Sequence, residues 1–323
     1  MTKVDLITGM LGSGKTTFIR KYAEYHLGNG SRIAILLNDY GAVNIDMVML
    51  KDLECDLCEV SMVVGGADAD CHKRRFKTQL INLGMQHFDR VIIEPSGLFD
   101  MDEYFDTLYE SPLDRWYEKG SIITIADPFS DDDLSDEIKF IIGSESSCCG
   151  SLIVSKLKGD EPASVTENLT ARLNSSLEFI GCRRRFSVSD MIARPWDKLT
   201  DEDFQKISSS GYRNESYTKL YNRDTLSTRV HYFMHVHIPE DHISGLVKDI
   251  FTDPACGKIY RIKGSLQSGN GSWLRLNATP ADVSLTPAAD GQAVLIVIGD
   301  RLNLKALDDR IRTLNTDPEY VSI

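Results

Sequence analysis

Gly9-Met10-Leu11-Gly12-Ser13-Gly14-Lys15-Thr16-Thr17 is the stretch whose reading decides the fold. It fits the spacing Gly-x-x-x-x-Gly-Lys-Ser/Thr and lies between an apolar run, Val4–Thr8, and a helical pattern, Thr16–Leu27. A glycine-rich turn there lets successive backbone N–H groups point inward on phosphate oxygens. The start of the helix adds its own attraction for anions. On this reading Gly9, Gly12, Ser13, Gly14 and Thr17 contribute to the phosphate cradle. Lys15 reaches the β- and γ-phosphates and the Thr16 hydroxyl binds Mg²⁺.

Working outward, Ile33–Leu37, Val91–Ile93, Ile122–Ala126 and Leu152–Val154 are short apolar runs bounded by turn residues, the pattern of buried parallel strands. Helical patterns at Arg74–Leu83 and Ser164–Leu173 lie between them. This alternation predicts an α/β P-loop domain with a mostly parallel sheet and right-handed crossovers. The polar stretch 198–229 reads as a short helix and a linker. After it, strand-like Val230–Ile238, Lys258–Ile262, Ser272–Leu276 and Ala293–Ile298 alternate with helix-like Asp241–Phe251 and Leu304–Leu314. They predict a smaller α+β domain with an antiparallel sheet. The expected domains are residues 1–226 and 227–323, and two domains suit a chain of 323 residues. The acidic run Asp131–Asp133 reads as a helix N-terminus, where carboxylates offset the dipole.

The run Val91–Ile93 ends in Glu94-Pro95-Ser96-Gly97. A carboxylate at that strand end can hold a Mg²⁺-bound water. Gly97, with no Cβ, can bring its N–H close to a γ-phosphate.

GMLGSGKTTFI, the Asn38–Gly41 segment NDYG and the Glu94–Asp100 segment EPSGLFD resemble the CobW group of P-loop GTPases, relatives of the nickel-insertion GTPases HypB and UreG. That group reads GFLGxGKTT, NEFG and ETxGLADP at these places. SIITIADPF at Ser121–Phe129 is similar to its following strand and Asp, and HYFMHVHIPEDHISGLV, GKIYRIKG and GQAVLIVIGDRL are similar to its C-terminal domain. The resemblance implies a Mg²⁺-dependent GTPase of slow turnover. It implies delivery of a transition metal, or of a metal cofactor, to a client metalloprotein or a cobalamin-related (corrinoid) protein, and a homodimer is compatible with it. Asp39 takes the place of the family's Glu, as a group that orients water or binds Mg²⁺, or as a turn carboxylate. The competing class is a nucleotide-dependent switch that activates a client with little hydrolysis and no tight metal site.

Two departures from the family pattern bear on specificity. Where the family carries Asn-Lys-x-Asp to read guanine, this chain has Ser155-Lys156-Leu157-Lys158. Lys156 remains to pack along a base, with Ser155 beside it, but the buried acceptor for guanine is lost unless Asp160, two residues on and differently directed, reaches it, which leaves both GTP and ATP open. Where the family carries Cys-x-Cys-Cys followed by Ser/Thr-x-Arg, registering on Arg74 places Asp68-Ala69-Asp70-Cys71. A register one residue earlier, fixed on Gly66, leaves no family thiol at all. Two carboxylates and a thiolate, with His72, suit Zn²⁺, Co²⁺ or Fe²⁺ less tightly than three thiolates would. Cys55 and Cys58 just upstream make a Cys-x-x-Cys pair compatible with zinc, or are plain small residues of a strand and turn.

Other readings complete the set. His231, His235 and His237 fall on one face if the strand runs unbroken, as a solvated face or as three imidazole ligands. Cys148-Cys149 reads as a loop with free thiols, or as a vicinal metal pair. The net charge of −12 argues against nucleic acid as a partner. No apolar stretch approaches the ~20 residues that span a bilayer. Seven cysteines without a regular framework, and an N-terminus without a secretion pattern, suggest reduced thiols in a cytoplasmic protein.

Overall fold

A computed structural model describes residues 1–38, 45–63, 69–95, 101–130, 134–221, 228–268, 271–280 and 282–322. The chain divides into two compact units, Met1–Tyr40 with Met49–Thr225, and Gly41–Val48 with Leu226–Ile323. The second unit thus also takes in a short early segment that the sequence reading assigns to the first.

The chain runs β1 (Thr2–Thr8), α1 (Lys15–Gly28), β2 (Ile33–Asn38), α2 (Ile45–Leu50), β3 (Cys58–Val63), α3 (Ala69–Gly84), β4 (Arg90–Pro95), α4 (Met101–Tyr109), α5 (Leu113–Trp116) and β5 (Tyr117–Ala126). It continues through α6 (Asp136–Cys148), β6 (Ser151–Val154), α7 (Ala163–Phe179), β7 (Met191–Ile192) and α8 (Asp201–Ser208). The seven strands form one sheet in the order β3-β2-β4-β1-β5-β6-β7, and every pairing is parallel. The central strands are buried along their length because helices cover both faces, so they read as unbroken apolar runs. β1 sits between β4 and β5, with Leu6 opposite Ile93 on one side and Ile122 on the other. That register brings the end of β1, where the glycine loop begins, level with the end of β4.

Two strands escape the sequence reading. β3, CEVSMV, is an edge strand with half of its positions only partly buried, so its apolar signal is diluted. β7 has two residues. The strand expected as third is therefore β4, and the one expected as fifth is β6. The acidic run 131–133 lies outside the described residues. The helix after it starts at Asp136 instead, where the Ser135 hydroxyl accepts from Ile138 N–H at 3.3 Å and Asp136 and Glu137 occupy the first turn. Cys148 and Cys149 do not lie in a free loop. They close α6, and both are buried.

A buried charge organises the core beneath β1. Asp5, wholly buried, accepts from Tyr22 Oη at 2.6 Å and from Ser121 N–H at 2.7 Å, and pairs with Arg90. Burial raises its pKa against the opposing pull of the guanidinium and of these donors.

The second unit contains β8 (Thr228–Met234), α9 (Glu240–Thr252), β9 (Lys258–Gln267), β10 (Trp273–Thr279), β11 (Asp282–Ala288), β12 (Val294–Asp300), α10 (Leu304–Leu314) and β13 (Val321–Ser322). These strands form a sheet in the order β11-β10-β9-β12-β8-β13, antiparallel throughout. Ile243, Val247 and Ile250 of α9, with Leu307 and Ile311 of α10, pack on Phe233, Ile262, Leu295 and Val297 of the sheet. The three histidines do not share one strand face. β8 stops at Met234, and His235 takes a left-handed φ of 55°. His231 bonds Ser322 Oγ at 2.8 Å, while His237 pairs with Asp317 at 2.8 Å.

Candidate nucleotide site

The phosphate loop connects β1 to α1. Thr8, the last residue of β1, shares a hydrogen bond of 2.7 Å with Thr124 on β5, which pins the point of departure. Gly9 then takes φ 137°, where an L side chain is strained. A Cβ there would lie 2.7 Å from Ser13 Oγ and closer still to the carbonyl oxygen of Ile125. At Gly14 a Cβ would meet the indole of Trp196 at 2.9 Å. The loop is therefore held against β5 on one side and Trp196 on the other. Trp196 is itself fixed by its Nε1–H, which donates to Val154 O at 3.0 Å.

Gly14 caps α1 without a side-chain acceptor, and the first turn of the helix has no acidic residue. Its opening N–H groups are thus left for an external anion. The Ser13 hydroxyl is buried and has no hydrogen-bond partner among the described residues. Lys15, also buried, folds its Nζ back on the loop and donates to Gly9 O at 2.9 Å. Thr17 is exposed.

Thr16 Oγ1 lies 3.0 Å from both Oε1 and Oε2 of Glu94. Both residues are buried, 7% and 8% exposed. A hydroxyl and a carboxylate meeting beside a buried lysine and an uncapped helix start form an oxygen donor set that fits Mg²⁺. Asp39 and Gly97, also expected near the phosphates, lie outside the described residues.

The segment after β6 departs from its expected role. The Ser155 hydroxyl is buried and points to Ala126 O at 3.2 Å. Lys156 takes φ 61° and pairs with Asp127, which stands at the end of β5. The N–H groups of Lys158 and Gly159 both donate to the Glu161 carboxylate, at 2.5 and 2.8 Å. Asp160 is exposed.

The expected transition-metal ligands are not gathered. Cys55 and Cys58 exchange backbone hydrogen bonds of 3.0 Å in a tight turn before β3. Cys55 is exposed, and burial pushes the Cys58 thiol up to about 12, so it stays protonated. Cys71 and His72 lie in the first turn of α3, beyond the other end of β3. A six-residue strand rises by roughly 20 Å at ~3.3 Å per residue, which separates the two pairs. The His72 ring is wholly buried and its Nε2 meets Asn38 Oδ1, at the end of β2, at 2.7 Å. Burial, with the charge of Arg75, holds its pKa down at about 4. Among the described residues no group of three His, Cys, Asp or Glu side chains is placed to hold a metal ion. Asp68 lies outside those residues, and of Asp70 only the backbone is described.

Sequence reasoning missed Glu145 and Trp196, and it noted Asp127 only as the Asp that follows the family's strand. Glu145 stands in α6 within FIIGSESSC, where a lone acid between small residues was the available signal.

The family model for the CobW/HypB/UreG nucleotide-binding domain matches residues 3–180. Among curated proteins, the zinc chaperone YeiR of Escherichia coli is 34% identical over 129 residues, 40% of this chain and 38% of YeiR. The zinc chaperone YjiA of the same organism is 28% identical over 132 residues, 38% of this chain and 40% of YjiA. A zinc-regulated GTPase metalloprotein activator of Schizosaccharomyces pombe is 27% identical over 188 residues, 55% of this chain and 44% of the activator. The matches thus span less than half the length of these relatives. Among solved structures, Zn(II)-bound YjiA GTPase from E. coli aligns over 98% of this chain and 99% of its own, at 16% identity and TM-score 0.33.

Proposed function

The chain belongs to the CobW/HypB/UreG nucleotide-binding family, and from that premise we propose that it is a Mg²⁺-dependent nucleoside triphosphatase of slow turnover that couples its cycle to handling a transition metal for a client protein. The observation that carries the reading is the meeting of Thr16 and Glu94 beside Lys15 at the uncapped start of α1. The loop N–H groups and Lys15 bind the phosphates and offset their charge, and the Ser13 hydroxyl donates to a phosphate oxygen. Thr16 and Glu94 hold Mg²⁺, which when bound neutralises charge on the phosphoryl oxygens. Asp39 and Gly97 are proposed to orient water and to sense the γ-phosphate. No step beyond this positioning is needed for slow hydrolysis, since most of phosphoryl-transfer catalysis is positioning and electrostatics.

The nucleotide is GTP or ATP. Lys158 stands where the family's guanine-reading aspartate would be, so no carboxylate at that place favours guanine over adenine. The metal cargo, Zn²⁺ or Co²⁺, would engage the Asp68–Cys71 segment, with Cys71 at the start of α3 as its thiolate. Cys55, Cys58 and His72 are not proposed as ligands. The Cys58 thiol held protonated by burial, and His72 turned to Asn38, favour a second reading, a nucleotide-dependent client activator without a tight metal site. Phosphate release from GTP and ATP, with and without Zn²⁺ or Co²⁺, separates the two. Turnover that depends on Glu94 and responds to metal supports the first. Absence of turnover under every condition would leave only the second.

A further inference from the structure

A charged group lies beneath the phosphate loop and takes no part in the reading above. Glu145 of α6 is 1% exposed. Its carboxylate accepts the Gly9 N–H and feels the charge of Lys15. Oε1 has no hydrogen-bond partner among the described residues. A pocket of about 30 Å³ opens beside it, lined by Gly9, Met10, Asp127 and Arg172 among others. That is room for about two waters, which gives the carboxyl a route for exchanging a proton.

We propose that Glu145 is a positioning residue for the phosphate loop, and that gain or loss of one proton on its carboxyl sets how strongly the loop holds a polyanion. The inference rests on the reading that the loop binds phosphate. Ionised, Glu145 places a negative charge behind the turn whose N–H groups and lysine must face phosphate oxygens, and it competes for the charge of Lys15. Protonated, it keeps an acceptor for Gly9 N–H and leaves Lys15 to the phosphate.

The charged groups facing it are few. Lys15 comes from α1. Asp127, at the end of β5, is already paired with Lys156. Arg172 of α7 donates to the carbonyls of Asp127 and Ser130, each at 2.7 Å. Burial, only partly opposed by Lys15 and Gly9, pushes the carboxyl up to about 7, so both forms are populated near neutrality. Bringing a phosphate to the loop disfavours the carboxylate further. By linkage, binding then takes up a proton, and affinity falls as pH rises through that value.

The test is calorimetric titration of Mg²⁺-GDP and Mg²⁺-ADP into the full chain and into Glu145→Gln, at pH 6, 7 and 8, in buffers of differing ionisation enthalpy. Glutamine keeps the acceptor and cannot titrate. Wild type should bind about fivefold more tightly at pH 6 than at pH 8, relative to the variant, for a linked shift of about one pKa unit. It should also take up more protons than the variant at pH 7. Equal pH slopes and equal proton uptake would overturn the proposal. If the variant does not fold, carboxyl ¹³C NMR of wild type decides. A glutamate that titrates near neutrality and shifts upward with nucleotide supports it, and glutamates all confined to the ordinary range overturn it. Failure of wild type to bind either nucleotide at any pH would instead overturn the phosphate reading, and this inference with it.

Discussion

Gly9→Ala isolates how tightly the phosphate loop is built. The new Cβ would sit 2.7 Å from Ser13 Oγ and 3.2 Å from the carbonyl carbon of Ile125, at a φ of 137°. The Ser13 hydroxyl can turn aside. The Ile125 carbonyl cannot, because that residue is fixed in β5 opposite Ile153 of β6. The backbone strain costs about 1–3 kcal/mol, and relieving the clash about 1–3 kcal/mol more. Together they should lower the melting temperature by about 4–24 °C, at roughly 2–4 °C per kcal/mol for a unit of this size. The loop must shift, which moves the carbonyl that Lys15 engages and the N–H that Glu145 accepts. Nucleotide affinity should fall by about two orders of magnitude or more, since correct placement of such groups is worth several kcal/mol. Gly30→Ala is the control. It also has a positive φ, 74°, but nothing lies within 4 Å of its Cβ. It should cost about 1 kcal/mol and leave binding unchanged. Thermal unfolding and fluorescent-nucleotide titration measure both. If Gly9→Ala is no more destabilising than Gly30→Ala and still binds nucleotide, the account of the loop is wrong.

Further outcomes follow from other contacts. Asp5→Ala strands Arg90, which is 9% exposed, and should cost about 3–5 kcal/mol in chemical denaturation, whereas Asp5→Asn should cost less. Glu94→Gln removes the carboxylate beside Thr16 and should abolish the Mg²⁺ dependence of nucleotide binding while leaving the fold intact by circular dichroism. Burial, aided by the charge of Arg90, holds His26 down at about 4. The unfolded chain therefore binds the extra proton between about pH 6.5 and 4, and stability drains away as pH falls through that window. Urea unfolding at pH 7 and pH 4.5 should show a smaller loss for His26→Gln than for wild type.

The loop, its strand and its helix were legible because three local signals agree there: glycines for the turn, an apolar run before it and a helical period after it. The approach of Glu94 to Thr16 could also be anticipated across 78 residues, since a strand ending in a carboxylate beside β1 leaves it little other place to point. β3 was hidden because an edge strand mixes polar and apolar positions. The histidine stripe failed at His235, where a left-handed φ ends the strand and no residue pattern announces it. His72 looked like a ligand next to Cys71, but burial in α3 turned it toward Asn38, a partner set by sheet order and not by spacing. Glu145 carried only the weak signal of a lone acid between small residues. A glutamate in a helix usually faces water, and only the packing of α6 against the loop takes it inside.

The central claim is that this loop binds a nucleoside triphosphate through Lys15 and the start of α1. Calorimetric titration of Mg²⁺ with a non-hydrolysable GTP or ATP analogue, into wild type and Lys15→Ala, tests it most directly. The account predicts one site per chain in wild type, with affinity lost by about a hundredfold or more in the variant. Equal binding by the two proteins, or none by either, would contradict it.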